Sequence, residues 1–197
     1  MVFETPETIQ RAPAKGRILV TANELFYQYG ILNVGVDRII AQSSVTKATF
    51  YKHYRSKDNL ILEYVRSRRV AEEAQVRSII DDAASPHDAI LGILEGLAAY
   101  LTTPDFRGCP FLNVVAEFSD PEHPVRQLIT AHRDWYNETL FELLRGAGHP
   151  FPGDAADEFM LAKDGALTGG YAGDTIAAGA AMARVVKRVL AESAVAV

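Results

Sequence analysis

GILNVGVDRIIAQSSVTKATFYKHYRSKDNL, residues 30–60, is the stretch on which the fold turns. Val36, Ile39 and Ile40 give one apolar side to a short helix that opens after Gly35, an acceptable N-cap, and has room for barely two turns before Ser43-Ser44. Thr46 caps the next segment, TKATFYKHY, in which Phe50 and Tyr54 stack at i, i+4 on one face. Ser56 caps a fourth segment that starts at Lys57 and carries Leu60, Ile61, Tyr64 and Val65 on toward Asp81. A short helix, a tight turn and a second helix of about nine residues is helix-turn-helix geometry, and the second helix has the size of the DNA major groove. With Phe50 and Tyr54 inward, Ala48, Tyr51, Lys52 and Arg55 point outward and Thr49 lies at the edge. Lys47 has the reach for guanine O6 or N7, and the methyl and hydroxyl of Thr49 suit a base edge. Tyr51, Lys52 and His53 are better placed for phosphates, as is Lys57 in the first turn of the fourth helix, where free N–H groups add a favourable dipole. The bland alternative for the same residues is an exposed bundle face with incidental lysines.

Outward from this stretch the pattern stays helical. Ahead of it, Ile18, Leu19, Ala22, Leu25, Phe26 and Tyr29 follow the i, i+3, i+4 rule from about Pro13 to Tyr29, and Gly30 offers a stop that tolerates positive φ. Behind it, helices are expected over Pro86–Thr102, Pro110–Phe118 and Pro124–Leu144, with a loop at 104–109 and a turn at 146–154. Residues 155–191 read as two helices broken near Gly169–Gly173. No alternating strand and no internal repeat occurs, so the expected class is all-α.

The 197 residues suit one ordinary domain, or one with a small satellite. With 48% apolar and 23% charged residues, the chain buries a core without disulfides, which excludes disordered and collagen-like classes. The single cysteine, Cys109, cannot close an internal disulfide, and no zinc-finger spacing, phosphate-binding glycine loop or HExxH pattern is present. Neither a secretory h-region nor an apolar run near the ~20 residues of a bilayer span is found, so the expectation is a cytoplasmic protein with no membrane partner. The net charge of −5 hides a split. Residues 1–70 carry a surplus of +5 and residues 71–197 a deficit of −10, which directs one end of the molecule toward a polyanion.

VDRIIAQSSVTKATFYKHYRSKDNLI, residues 36–61, resembles the DNA-binding signature of the tetracycline-repressor (TetR) family of bacterial regulators. The likeness lies in the short second helix, the Val-Thr before the recognition helix, the Thr-aromatic-Tyr core and the Ser-Lys-acid opening of the fourth helix, and spans roughly residues 13–62. Ser44 stands where the family usually has Gly, Ala48 where Gly or Pro is common, and Gly35 where a Thr cap is common. The resemblance implies that Lys47, Ala48 and Thr49 face bases and that Tyr51, Lys52, His53 and Lys57 face phosphates. It further implies an N-terminal arm and helix-turn-helix domain over 1–56, then a six-helix ligand-sensing and dimerising body over 57–197. A double-stranded DNA operator, pseudo-palindromic in a dimer, and a small-molecule effector would be the partners. No cofactor, metal or catalytic residue is expected, and repression follows from family habit. Residues Phe106–Arg126 are similar to a segment that recurs in a subset of such regulators.

Candidate sites in the body rest on residue type. Asn113 and Glu117 lie four apart on an apolar helix, so the Glu117 carboxylate reaches solvent, pairs with a base such as Arg126 or Arg133, or lines a pocket. His132, Trp135 and Tyr136 suit either ligand contact or a hydrogen-bonded core. Together with Tyr100, Phe106 and Cys109 they form an expected lining of aromatic walls and few polar groups, suited to an aromatic or amphipathic ligand. Asp120, Glu122 and His123 read as a solvated turn rather than a metal site. The rival class is a helical enzyme or sensor using Cys109 with His123 or His132. Residues 155–171 and 174–191 combine Leu161, Leu167, Tyr171, Ile176, Met182 and Val186 with many Gly and Ala, which predicts a four-helix homodimer interface.

Overall fold

Ala14–Tyr29 (α1) is helical because Ile18, Ala22, Leu25 and Phe26 recur on one side and are all buried. Gly30 ends it at φ 82, its N–H returning to the Phe26 carbonyl. The computed structural model describes residues 13–193, and the remaining helices are α2 (Val36–Gln42), α3 (Lys47–Tyr54), α4 (Lys57–Asp82), α5 (Pro86–Leu101), α6 (Pro110–Glu117), α7 (Pro124–Gly146), α8 (Pro152–Ala172) and α9 (Thr175–Ser193). No strand occurs among the described residues, so the expected all-α class is the one found. The expected N-terminal arm before Pro13 lies outside them.

The helices divide into two compact units. The first holds residues 13–68 and 110–129. In it α1, α2 and α3 pack against one another around Ile18, Ala22, Ile39 and Phe50, none of which is accessible to solvent. Phe26 meets Tyr64 edge-to-face at 5.5 Å, which ties α1 to the start of α4.

The second unit holds residues 69–109 and 130–193. Here α8 lies along α9, and both pack on α5. Gly170 makes the close approach possible: a Cβ there would come within 3.0 Å of Leu101 Cδ2 on α5 and 3.4 Å of Ala178 on α9. The helix α8 begins at Pro152, three residues before the expected start at Ala155, because Pro152 occupies a first-turn position where it loses no hydrogen bond. On α7 His132, Tyr136 and Leu140 are buried, while Trp135 is only half-buried. No helix among the described residues is long and apolar enough to cross a membrane.

Candidate nucleic-acid interface

Thr46 starts the recognition helix. Its backbone is extended, and its Oγ1 accepts the Thr49 N–H at 3.2 Å. The Thr49 hydroxyl lies 2.8 Å from the same Oγ1, and Thr49 is half-buried. Phe50 is fully buried and Tyr54 nearly so, and the Tyr54 hydroxyl donates to the Lys15 carbonyl at 2.9 Å. Burial, reinforced by the Glu63 carboxylate, pushes the Tyr54 phenol up to about 12. Facing away from this core, Lys47, Ala48, Tyr51, Lys52 and His53 are all exposed. Arg55, expected to point outward, is exposed as well, and as the C-cap at φ 62 it turns the chain from α3 toward α4.

The turn before α3 is fixed by residues far apart in sequence. Ser43 donates its hydroxyl to the Ile39 carbonyl at 2.7 Å, and Ser44 adopts φ 53. Arg17 on α1 donates through Nε to the Ser43 carbonyl at 3.2 Å and through Nη2 to the Ser44 carbonyl at 3.3 Å. Sequence reading missed this role, because Arg17 lies on the polar side of α1 with nothing in its spacing to mark a partner 26 residues on.

Lys57 and Glu117 both belong to this first unit. The Lys57 ammonium donates to the Ile31 carbonyl at 2.6 Å. Burial lowers its pKa, while the Glu117 and Asp58 carboxylates oppose that shift. Glu117 accepts the backbone N–H of Ile31 at 2.8 Å and of Leu32 at 2.6 Å. It pairs with neither expected base: Arg126 donates to the Phe118 carbonyl and Arg133 to Asp164. Asn113, on the same helix α6, is half-buried.

The other six expected lining residues fall in the second unit, where they form two groups. Tyr100 meets Phe106 edge-to-face at 5.3 Å. The second group centres on His132, only 2% exposed, which stacks on Trp135 at 5.8 Å and meets Tyr136 edge-on at 6.4 Å. Its Nε2 lies 3.1 Å from Glu72 and its Nδ1 3.7 Å from Glu73. Lys163, also buried, sits 3.8 Å from Glu72 and 4.2 Å from the Tyr136 ring centre. Burial pushes the Glu72 carboxyl up, but Lys163 and His132 together outweigh it and hold it below its usual value. Burial also raises the Tyr136 phenol well above its ordinary range. Sequence reading missed Glu72, Glu73 and Lys163, whose only local signal is a charge on the apolar side of a helix. Cys109 is buried. An open groove of about 650 Å³ in this unit is lined by Ile80, Trp135, Leu143 and the acids Asp134, Glu138 and Glu142. The Asp120 and His123 side chains accept backbone N–H groups of their own turn, from Glu122 at 2.9 Å and Val125 at 3.3 Å.

A short helix, a left-handed turn pinned by a neighbouring helix, and a second helix that shows solvent a basic face define a helix-turn-helix DNA-binding unit. Residues 18–64 match the family described as bacterial regulatory proteins, tetR family. Over 94% of this chain and 98% of the other, the protein superposes with TM-score 0.89 and 34% identity on SCO4454, a TetR-family transcriptional regulator from Streptomyces coelicolor. It is 26% identical over 133 residues to the HTH-type transcriptional regulator LmrA of Bacillus subtilis (strain 168), covering 64% of this chain and 71% of LmrA. To the HTH-type transcriptional repressor DhaR of Mycobacterium sp. (strain GP1) it is 25% identical over 126 residues, 64% of this chain and 63% of DhaR. The chain belongs to the TetR family and is a DNA-binding transcriptional regulator.

Proposed function

We propose that the protein is a cytoplasmic, homodimeric repressor that reads a pseudo-palindromic operator and leaves it when a small ligand binds. The observation that carries the DNA-reading part is the exposed face of α3, where Lys47, Ala48, Tyr51, Lys52 and His53 project from a helix anchored by Phe50 and Tyr54. Lys47, Ala48 and Thr49 meet base edges, and Tyr51, Lys52 and His53 meet phosphates, joined by Lys57 once it leaves the Ile31 carbonyl. Residues 1–56 form the DNA-binding domain in this reading and 57–197 the ligand-binding and dimerising one. Repression is favoured by the likeness to DhaR, a transcriptional repressor.

Dimerisation through residues 155–191 is supported by Leu161 and Ile176, apolar yet 73% and 78% exposed, and by Gly165 and Gly169, beside which a Cβ would meet nothing within 4 Å. The proposed ligand contacts are Tyr100, Phe106, Cys109, His132, Trp135 and Tyr136, with the Glu72–His132–Lys163 group supplying charge to a polar ligand group. The ligand acts by binding one conformation of the dimer better than the other.

Lys47→Ala tests the reading residue. On a duplex selected from a random pool, it is expected to cost roughly 1–3 kcal/mol and to relax preference at one base pair of each half-site. Unchanged affinity and preference would remove Lys47 from the set.

A further inference from the structure

The loop between α1 and α2 is held from two sides by side chains distant in sequence. Gly30, left-handed at φ 82, precedes two amides that both donate to the Glu117 carboxylate, Ile31 at 2.8 Å and Leu32 at 2.6 Å. Successive N–H groups beside a left-handed residue make a nest for an anion, and here the anion is a side chain of α6. The fit is close: a Cβ on Gly30 would lie 3.2 Å from Glu117 Oε1. From the other side, Lys57 Nζ donates to the Ile31 carbonyl at 2.6 Å. That ammonium is partly desolvated and feels the Glu117 charge. A cation so placed is compensated inside the protein and is not free to displace counterions from DNA.

We propose that Glu117 is a positioning residue for DNA binding: seated in the Ile31–Leu32 nest, it holds the Lys57 ammonium on the Ile31 carbonyl and withholds that charge from the DNA phosphates. The proposal rests on Lys57 being a phosphate contact once released. Neutralising the carboxylate frees Lys57, and one more phosphate is then engaged. If Glu117 merely fastened α6 to the loop, its loss would lower stability and leave the electrostatics of DNA binding as they were.

The test is a double-mutant cycle read by the salt dependence of binding to a short mixed-sequence duplex, using wild type, Glu117→Gln, Lys57→Ala and the double variant. Gln keeps a carbonyl oxygen for the nest and removes only the charge. Glu117→Gln is expected to steepen the slope of log K against log salt by about 0.9, an extra loss of about 3.5-fold between about 50 and 200 mM salt. That gain should vanish in the Lys57→Ala background. A gain that persists there is general electrostatics and overturns the proposal, as does an unchanged slope. Lys47→Ala run alongside reports on the recognition helix independently of Glu117. Should Glu117→Gln fail to fold, Glu117→Ala takes its place in the same cycle, with the same expected steepening of the slope and the same overturning results.

Discussion

Ser44 concentrates the cost of the turn in one residue. At φ 53 it occupies a conformation that costs an L-residue roughly 1–2 kcal/mol, and the hydrogen bonds from Arg17 to the carbonyls of Ser43 and Ser44 hold it there. Glycine removes that strain but adds roughly 0.5–1 kcal/mol of unfolded-state entropy. Ser44→Gly is therefore expected to stabilise the protein by about 0.5–1 kcal/mol in urea unfolding, and a loss of stability would contradict the left-handed assignment. Tyr54 makes a second prediction. Its phenol titrates near 12 in the folded chain against about 10 when unfolded, so the folded state holds the proton more tightly. The associated stability is complete below pH 10 and is lost as pH rises from 10 to 12, by about 1–2 kcal/mol. Tyr54→Phe, which removes the bond to the Lys15 carbonyl, is expected to cost about 1 kcal/mol at neutral pH and to flatten that alkaline decline. The same decline in the variant would place its cause elsewhere.

At the scale of elements, α4 and α5 meet at a glycine. A Cβ on Gly92 would lie 2.7 Å from Ile79 Cγ2, a β-branched methyl that cannot swing aside without leaving its rotamer. Gly92→Ala gains helix propensity of about 1 kcal/mol yet is expected to destabilise by a net ~1–2 kcal/mol through overpacking. Most of that loss should disappear in an Ile79→Leu background, which lacks the γ2 methyl, and an equal loss there would show that the contact is not its source. Most of the helices were legible because their signals are local. Prolines at 86, 110, 124 and 152 open helices, Gly30 closes one, and Thr46 and Ser56 cap two, all within four residues of the pattern they bound. The start of α8 was misplaced because the Pro152 signal lies inside a stretch, GAGHPFPGD, whose composition reads as turn throughout. The partners of His132 and Glu117 had no such signal: Glu72 lies 60 residues from His132, and Ile31 lies 86 from Glu117, so only folding brings them together.

For the whole molecule, the split of charge acquires a physical use. The basic surplus of residues 1–70 accompanies a helix-turn-helix unit with an exposed lysine-bearing face, while the acidic remainder keeps a net charge of −5 and resists indiscriminate binding to nucleic acid. The chain carries one recognition helix among its described residues, and in the proposed dimer the exposed apolar Leu161 and Ile176 on α8 and α9 would face a second copy. Two such copies related by a two-fold axis would read two half-sites of opposite orientation. The central claim, sequence-specific reading by paired α3 helices, is tested most directly by selecting from a random duplex pool with the full chain at near-physiological salt. The account predicts enrichment of an inverted repeat, which Lys47→Ala fails to enrich. An enriched site without two-fold symmetry, or no enrichment by the wild type, would contradict it.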